Sequence, residues 1–218
     1  MKKIVNYFVL FVVTSLITII VILSTMGIET NKFNKLIVEK ISQTKNINLK
    51  LETIKFKINL KELSLFLETQ NPDIMYMDLL IPIKNVQVYV DFLSLLKSDP
   101  IIKKISLVSQ ELNITQISKL SSIIKPSTFK SLLNNKIKEG KLIAEIEIFL
   151  NEKGLIKDFI TRGTVKDLKA ELISNLTLQE TDLNFFADKK DILIKNISGF
   201  VEDIKISNGD MKFNFDSG

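Results

Sequence analysis

The sequence predicts a mainly β protein with few helices: an N-terminal transmembrane helix, then an antiparallel β-sheet, with short helices near 30-42 and 116-138. Three observations carry this. Residues 4 to 28 are almost wholly apolar. Most of the remainder alternates apolar with polar residues, the mark of a strand with one oily and one wet face. Helical spacing surfaces in only two short stretches after the apolar run.

The anchor comes first. Lys2 and Lys3 precede the apolar run. Roughly 23 helical residues rise about 35 Å, enough to cross a hydrocarbon core of about 30 Å. Asn6, Thr14, Ser15 and Thr18 carry no charge and can bond within the helix. "ILSTMGIE" offers no small-x-small cleavage site, so an uncleaved signal anchor is expected rather than a signal peptide. Positive charge ahead of the span keeps the N-terminus in the cytoplasm and puts everything after Glu29 on the far side. The bias towards Lys, Ile and Asn, with Arg162 the only Arg, fits an AT-rich bacterial genome. The far side of a bacterial inner membrane is the periplasm.

After the anchor, Phe33, Leu36, Ile37 and Ile41 share one face of a short helix capped by Thr30 or Asn31. Residues 47–68 then alternate, and Val86, Val88 and Val90 alternate again, with Pro82 marking a strand edge or a break. Ser98, Asp99 and Pro100 form a turn before one or two short strands. Ile117, Leu120, Ile123 and Ile124 fit one short helix. Phe129, Leu132, Leu133 and Ile137 fit a second, opened by Ser127 after Pro126 and ended by Gly140. Strands return from Lys141, and Asn208-Gly209 between two alternating runs predicts a hairpin. The expected divisions are therefore 1-28 (anchor), 29-115 (helix and first sheet segment), 116-139 (helical connector) and 140-218 (second sheet segment).

The alternation changes phase repeatedly, always by three residues across a polar pair. Leu51 gives way to Ile54, Leu60 to Leu63, Val165 to Leu168, Ile194 to Ile197 and Val201 to Ile204. A two-residue hairpin does this, because the residues flanking its turn share a face; so does a bulge within one long strand. Either way one face stays oily across many strands. "IKNVQVYVDFL" and "IKNISGFVEDI" echo one another across such positions, a weak sign of a repeated unit.

Composition excludes several chemistries. The 218 residues hold no Cys and no His, so thiol chemistry and the usual nucleophile–histidine triads are ruled out. Neither a phosphate-binding glycine loop nor a nucleophile elbow is present. The net charge of +5 is spread among interleaved acids and lysines, as on a solvated strand face rather than a nucleic-acid footprint. Asp182, Asp188 and Asp191 are the one carboxylate group with any claim on Ca²⁺, and they read as solvated turn acids. No enzyme, metal or cofactor is expected.

In order, the anchor, the short helix, "NLKLETIKFKINLKELSLFLE", "IPIKNVQVYVDFLSLLKSDPIIKKISL" and "ELNI" resemble the AsmA superfamily of repeating β-groove, bridge-like lipid-transfer proteins. Asp91, Phe92, Leu93, Leu95, Leu96, Ile102, Ile105 and Leu107 carry that pattern, and Gly163 and Gly199 mark a similar one in the later strands. The resemblance rests on hydrophobic patterning over nearly the whole chain. It implies a sheet curled into a groove, anchored in the inner membrane, that carries phospholipid acyl chains through the periplasm towards the outer membrane and serves its biogenesis. Ile54, Phe56, Ile58, Leu60, Leu63, Leu65, Leu67, Val86, Val88 and Val90 would line the groove.

Members of that superfamily are usually longer. A dozen or so strands about 4.8 Å apart reach roughly 60 Å, short for bridging an envelope, so a longer parent protein or further envelope proteins as partners are expected. Two rival readings are a non-transporting scaffold of envelope assembly and a periplasmic component of lipopolysaccharide export. The helices read at 116-138 count against the second.

Overall fold

The computed structural model describes residues 2–30, 47–51, 53–62, 64–76, 79–91, 94, 101–121, 135–173 and 176–214. The helix predicted near 30-42 lies outside these residues beyond Thr30; of the two predicted within 116-138, Ile123, Ile124, Phe129, Leu132 and Leu133 lie outside them, as does Leu63.

Helix α1 (Lys2–Thr25) is the predicted apolar span. Thr14 Oγ1 donates within the helix to the Leu10 carbonyl at 2.8 Å, and Thr18 Oγ1 to that of Thr14 at 2.9 Å. Gly27, at φ 73°, donates back to the Ile22 carbonyl and ends the helix in a left-handed turn. The strands follow: β1 (Ile28–Thr30), β2 (Ile47–Lys50), β3 (Ile54–Asn59), β4 (Ser64–Gln70), β5 (Asp73–Tyr76), β6 (Leu79–Val90), β7 (Ile102–Ser109) and β8 (Leu112–Asn113). Helix α2 (Ile114–Ser121) precedes the long strands β9 (Ile137–Leu150), β10 (Ile156–Ile173), β11 (Leu176–Ala187), β12 (Asp191–Val201) and β13 (Ile204–Asn214).

All thirteen strands belong to one antiparallel sheet, ordered β1-β3-β4-β6-β7-β9-β10-β11-β12-β13, and it does not close into a barrel. The remaining strands add no width. β2 pairs with β5 and β5 with the start of β6, so β2 and β5 continue the lines of β3 and β4; β8 likewise continues β7 along β9. The path across the sheet is thus ten strands, about 43 Å at 4.8 Å spacing, rather than a dozen strands and 60 Å.

The phase changes divide cleanly. Two fall at hairpin turns: the one that begins at Leu60, between β3 and β4, and Val201 to Ile204. In the first, Asn59 Oδ1 accepts the Lys61 and Glu62 amides at 3.0 and 3.3 Å. In the second, Val201 faces Ile204 directly. The other three lie inside continuous lines of strand. The same three-residue step recurs in every other long line: Thr69 to Pro72, Ile83 to Val86, Ser109 to Leu112, Ile137 to Gly140, Leu178 to Thr181 and Ile206 to Gly209. The echo "IKN" is this step, met once in β6 and once in β12.

Several steps are made by a left-handed residue closing the skipped pair: Asn71, Asp167, Glu180, Asn196 and Asn208 have φ between 45° and 60°. Asn208-Gly209 therefore bulges β13 and is not the predicted hairpin. Ile137 and Gly140 belong to β9, not to a helix and its cap. Across adjacent strands the register slips by one residue and slips back. Val165 faces Leu183, Leu168 faces Thr181, and Ala170 faces Leu178, because a bulge in one strand is answered by one in the next. The steps align into a crease crossing the sheet.

Candidate functional site

Cross-strand partners share a face, so the registers give the composition of each face directly. One row runs Ile28, Phe56, Leu67, Val88, Ile105, Ile148 and Phe159. The next runs Ile54, Thr69, Val86, Leu107, Ile146, Thr161, Ala187, Ile192 and Phe213. A third runs Ala144, Gly163, Phe185, Ile194 and Met211. The oily face is continuous from the anchor-proximal edge to the last strand.

Burial on this face is greatest beside the crease. Ile54 is 2% exposed and Thr181 1%, and Thr69, Pro72, Ile83, Ser109, Leu112 and Ala170 are also buried. On the opposite face Phe66, Glu68, Tyr89, Lys104 and Ser106 are buried as well. Away from the crease Phe56, Leu67, Val88, Ile105, Ile146 and Phe185 are only half-buried. Met211 and Phe213 on the edge strand are each 47% exposed. Among the described residues α2 meets chiefly β6, β8 and β9, while β10 to β13 pack chiefly on one another.

Of the sequence-predicted residues, Ile54, Phe56, Ile58, Leu65, Leu67, Val86, Val88 and Val90 are brought together on this face by β3, β4 and β6. Leu60 is not among them. It sits half-exposed in the β3–β4 turn, beside Ser24 at the end of α1. Ile105, Leu107, Ile146, Ile148, Phe159, Phe185 and Ile194 extend the face beyond the prediction. Their alternation is visible in the sequence, whereas their partners depend on which strands adjoin.

The opposite face combines tightly paired charges with the rings of Phe66, Tyr89 and Phe186. Glu68 accepts from Asn85 Nδ2 at 3.0 Å and Gln87 Nε2 at 3.1 Å, and lies 2.6 Å from Lys57 Nζ. Burial alone would raise the Glu68 pKa; Lys57, Gln87 and Asn85 outweigh it and hold the carboxyl below its ordinary value. Lys104 lies 4.0 Å above the Tyr89 ring, which stacks on Phe66 at 5.1 Å, and its ammonium reaches Glu62 at 3.2 Å and Glu147 at 3.5 Å. Arg162 grips Glu145 with two hydrogen bonds of 2.8 and 2.9 Å. These groups neutralise one another, which is a structural use of charge.

Asp182, Asp188 and Asp191 are not gathered into a site. Asp182 Oδ1 accepts the Asp167 amide at 3.0 Å, Asp188 caps its own turn, and Asp191 pairs with Lys212 at 2.7 Å. Among the described residues no cluster of acids suits a metal ion. The chemistry an apolar face offers is shielding: about 0.8 kcal/mol for each methylene taken out of water.

The chain matches no protein-family profile, no characterised protein and no solved structure.

Proposed function

We propose that this protein is an AsmA-like lipid carrier of the bacterial envelope. On this reading α1 anchors it in the inner membrane with its sheet in the periplasm. The creased sheet shields phospholipid acyl chains on their way between inner and outer membranes, in the service of outer-membrane biogenesis. The observation that carries this reading is the apolar face running unbroken across the sheet, half-buried away from its crease. An ordinary sheet of this kind buries one face under a second layer, and a patch this extensive on an open sheet marks a binding surface. No side chain has a catalytic role in the proposal.

Phe185 and Phe186 supply the test, since they are adjacent aromatics on opposite faces. A photo-crosslinking phenylalanine analogue is placed at either position, or at Phe56, in the full chain within intact cell envelopes. Phospholipid adducts at 185 and 56 with none at 186 are expected. Protein adducts alone at 185 and 56 would replace transport with the scaffold reading.

A further inference from the structure

The turns joining the strands form two rims, one bearing the β3–β4, β9–β10 and β11–β12 turns and the other the β12–β13 turn, and both carry exposed apolar side chains, Ile204 on the second being 70% exposed. Leu155 and Ile156 are 62% and 63% exposed at the β9–β10 turn. That turn is rigidly built. Asn151 Oδ1 accepts the Lys153 and Leu155 amides at 3.0 Å each, Asn151 N–H donates to the Leu155 carbonyl at 2.9 Å, and Gly154 takes φ 73°. The hairpin also projects, because the pairing of β10 with β11 begins only at Thr161. Lys153 and Lys157 stand in the tip with Glu152 and Asp158, and Lys189 and Lys190 add positive charge on the neighbouring turn, where Lys189 Nζ donates to the Lys157 carbonyl. Two of the nearby acids are turned to backbone amides, Asp158 to Phe159 and Asp188 to Lys190 and Asp191. Among the described residues Lys153, Lys157 and Lys190 form no ion pair.

The anchor leaves from this rim. Ser24 shares a cavity of about 370 Å³ with Asn59, Leu60 and Lys61 of the β3–β4 turn. The chain then runs inward, Gly27 against Lys57 and Ile28 opposite Phe56. With α1 in the bilayer, the rim is the side of the sheet nearest the membrane. β10 lies five strands from β3 along the sheet, about 24 Å.

We infer that the β9–β10 tip is a second membrane contact: Leu155 and Ile156 insert at the interface of an anionic bilayer, and Lys153 and Lys157 meet its headgroups. Apolar side chains flanked by lysines suit that boundary, the aliphatic groups on the oily side and the ammonium groups in the headgroups. Two contacts on one rim hold the sheet against the membrane surface. The inference depends on α1 spanning the bilayer and not on lipid occupying the apolar face, so the two proposals can fail separately.

The chain has no cysteine, so a single introduced thiol labels uniquely. An environment-sensitive fluorophore is attached to Leu155→Cys, Ile156→Cys, or, on the opposite rim, Asp203→Cys. The full chain is reconstituted in phosphatidylethanolamine–phosphatidylglycerol vesicles, with Val13→Cys reporting the span itself. A spin-labelled lipid should quench positions 155 and 156 about twofold or more, since interfacial side chains sit within about 5–10 Å of the headgroup–acyl boundary. Position 203 should be unaffected. Lys153→Glu with Lys157→Glu should remove most of the quenching at 155, as should replacing phosphatidylglycerol with phosphatidylcholine. Unquenched labels at 155 and 156 beside a quenched one at 13 would overturn the inference, and so would equal quenching at 203.

Discussion

Gly199 is held both by its own backbone, at φ 158°, and by its neighbour. A Cβ there would meet Thr181 Oγ1 at 2.3 Å and Thr181 Cα at 2.7 Å, and Thr181 is buried in the crease. Gly199→Ala should therefore destabilise the fold by about 1–3 kcal/mol, the usual cost of overpacking, seen as a lower denaturant midpoint by circular dichroism. Gly163 faces the same limit, with the Ile143 carbonyl 2.3 Å from a Cβ and the Phe185 ring at 2.7 Å. On the face opposite the apolar one, Glu68 makes a pH prediction. Its pKa is lowered on folding, so its contribution is present above the unfolded value near 4.5 and is lost as pH falls through the lower folded value. Glu68→Gln should cost about 3 kcal/mol at neutral pH, because it strands the largely buried Lys57. It should also flatten part of the loss of stability below pH 4.5. Unchanged acid sensitivity in that variant would show that other carboxylates carry it.

At the scale of the strand, the bulges have their own supports. Asp182 accepts the amide of Asp167, and Asp210 accepts that of Asn196, both at 3.0 Å. The same device thus serves β10 and β12 from the following strand. Asp182→Ala and Asp210→Ala should each cost about 1 kcal/mol and, being two strands apart, should add in the double variant. Asn196→Gly should be close to neutral at φ 55°, and Asn196→Val should cost roughly 1–2 kcal/mol because a β-branched residue resists that region. Thermal melts of the four single variants and the double variant check the set. These bulges also explain what was legible beforehand. Alternation placed the strands, and the steps of three showed that one face stays oily. A turn and a bulge preserve the face equally, so the sequence could not tell Leu51 to Ile54, a break within one line, from the step that begins at Leu60, a reversal. Asn208-Gly209 misled because the left-handed conformation favoured in a tight hairpin is the same one that a bulge needs. Leu60 alternated correctly yet belongs to a turn, and Ile105, Phe185 and Ile194 were missed as site residues because pairing across the sheet is set by strand order.

For the molecule as a whole, the question is whether the apolar face is a core or a binding surface, and the two answers differ in cost. A carboxylate placed in a closed core leaves an unpaired charge and costs more than about 4 kcal/mol, enough to unfold a marginal domain. On an open face the same group turns to water. Val88 and Ile146 are half-buried and sit near the middle of the face, on β6 and β9. Val88→Glu and Ile146→Glu should therefore keep the far-UV spectrum and lower stability by only about 1–2 kcal/mol. Bound acyl chains would have to desolvate the new carboxylate, at several kcal/mol, so co-purifying phospholipid should fall about tenfold or more. Phe186→Glu, on the other face, should leave lipid unchanged. Quantifying phospholipid per chain after identical detergent extraction, beside the unfolding curves, separates the cases. Loss of fold in Val88→Glu and Ile146→Glu would make the face a core; intact fold with undiminished lipid would place any bound lipid elsewhere on the chain. The width of the sheet, about 43 Å across ten strands, sets the scale of that surface. A longer apolar path would require the face to continue into further strands beyond β13.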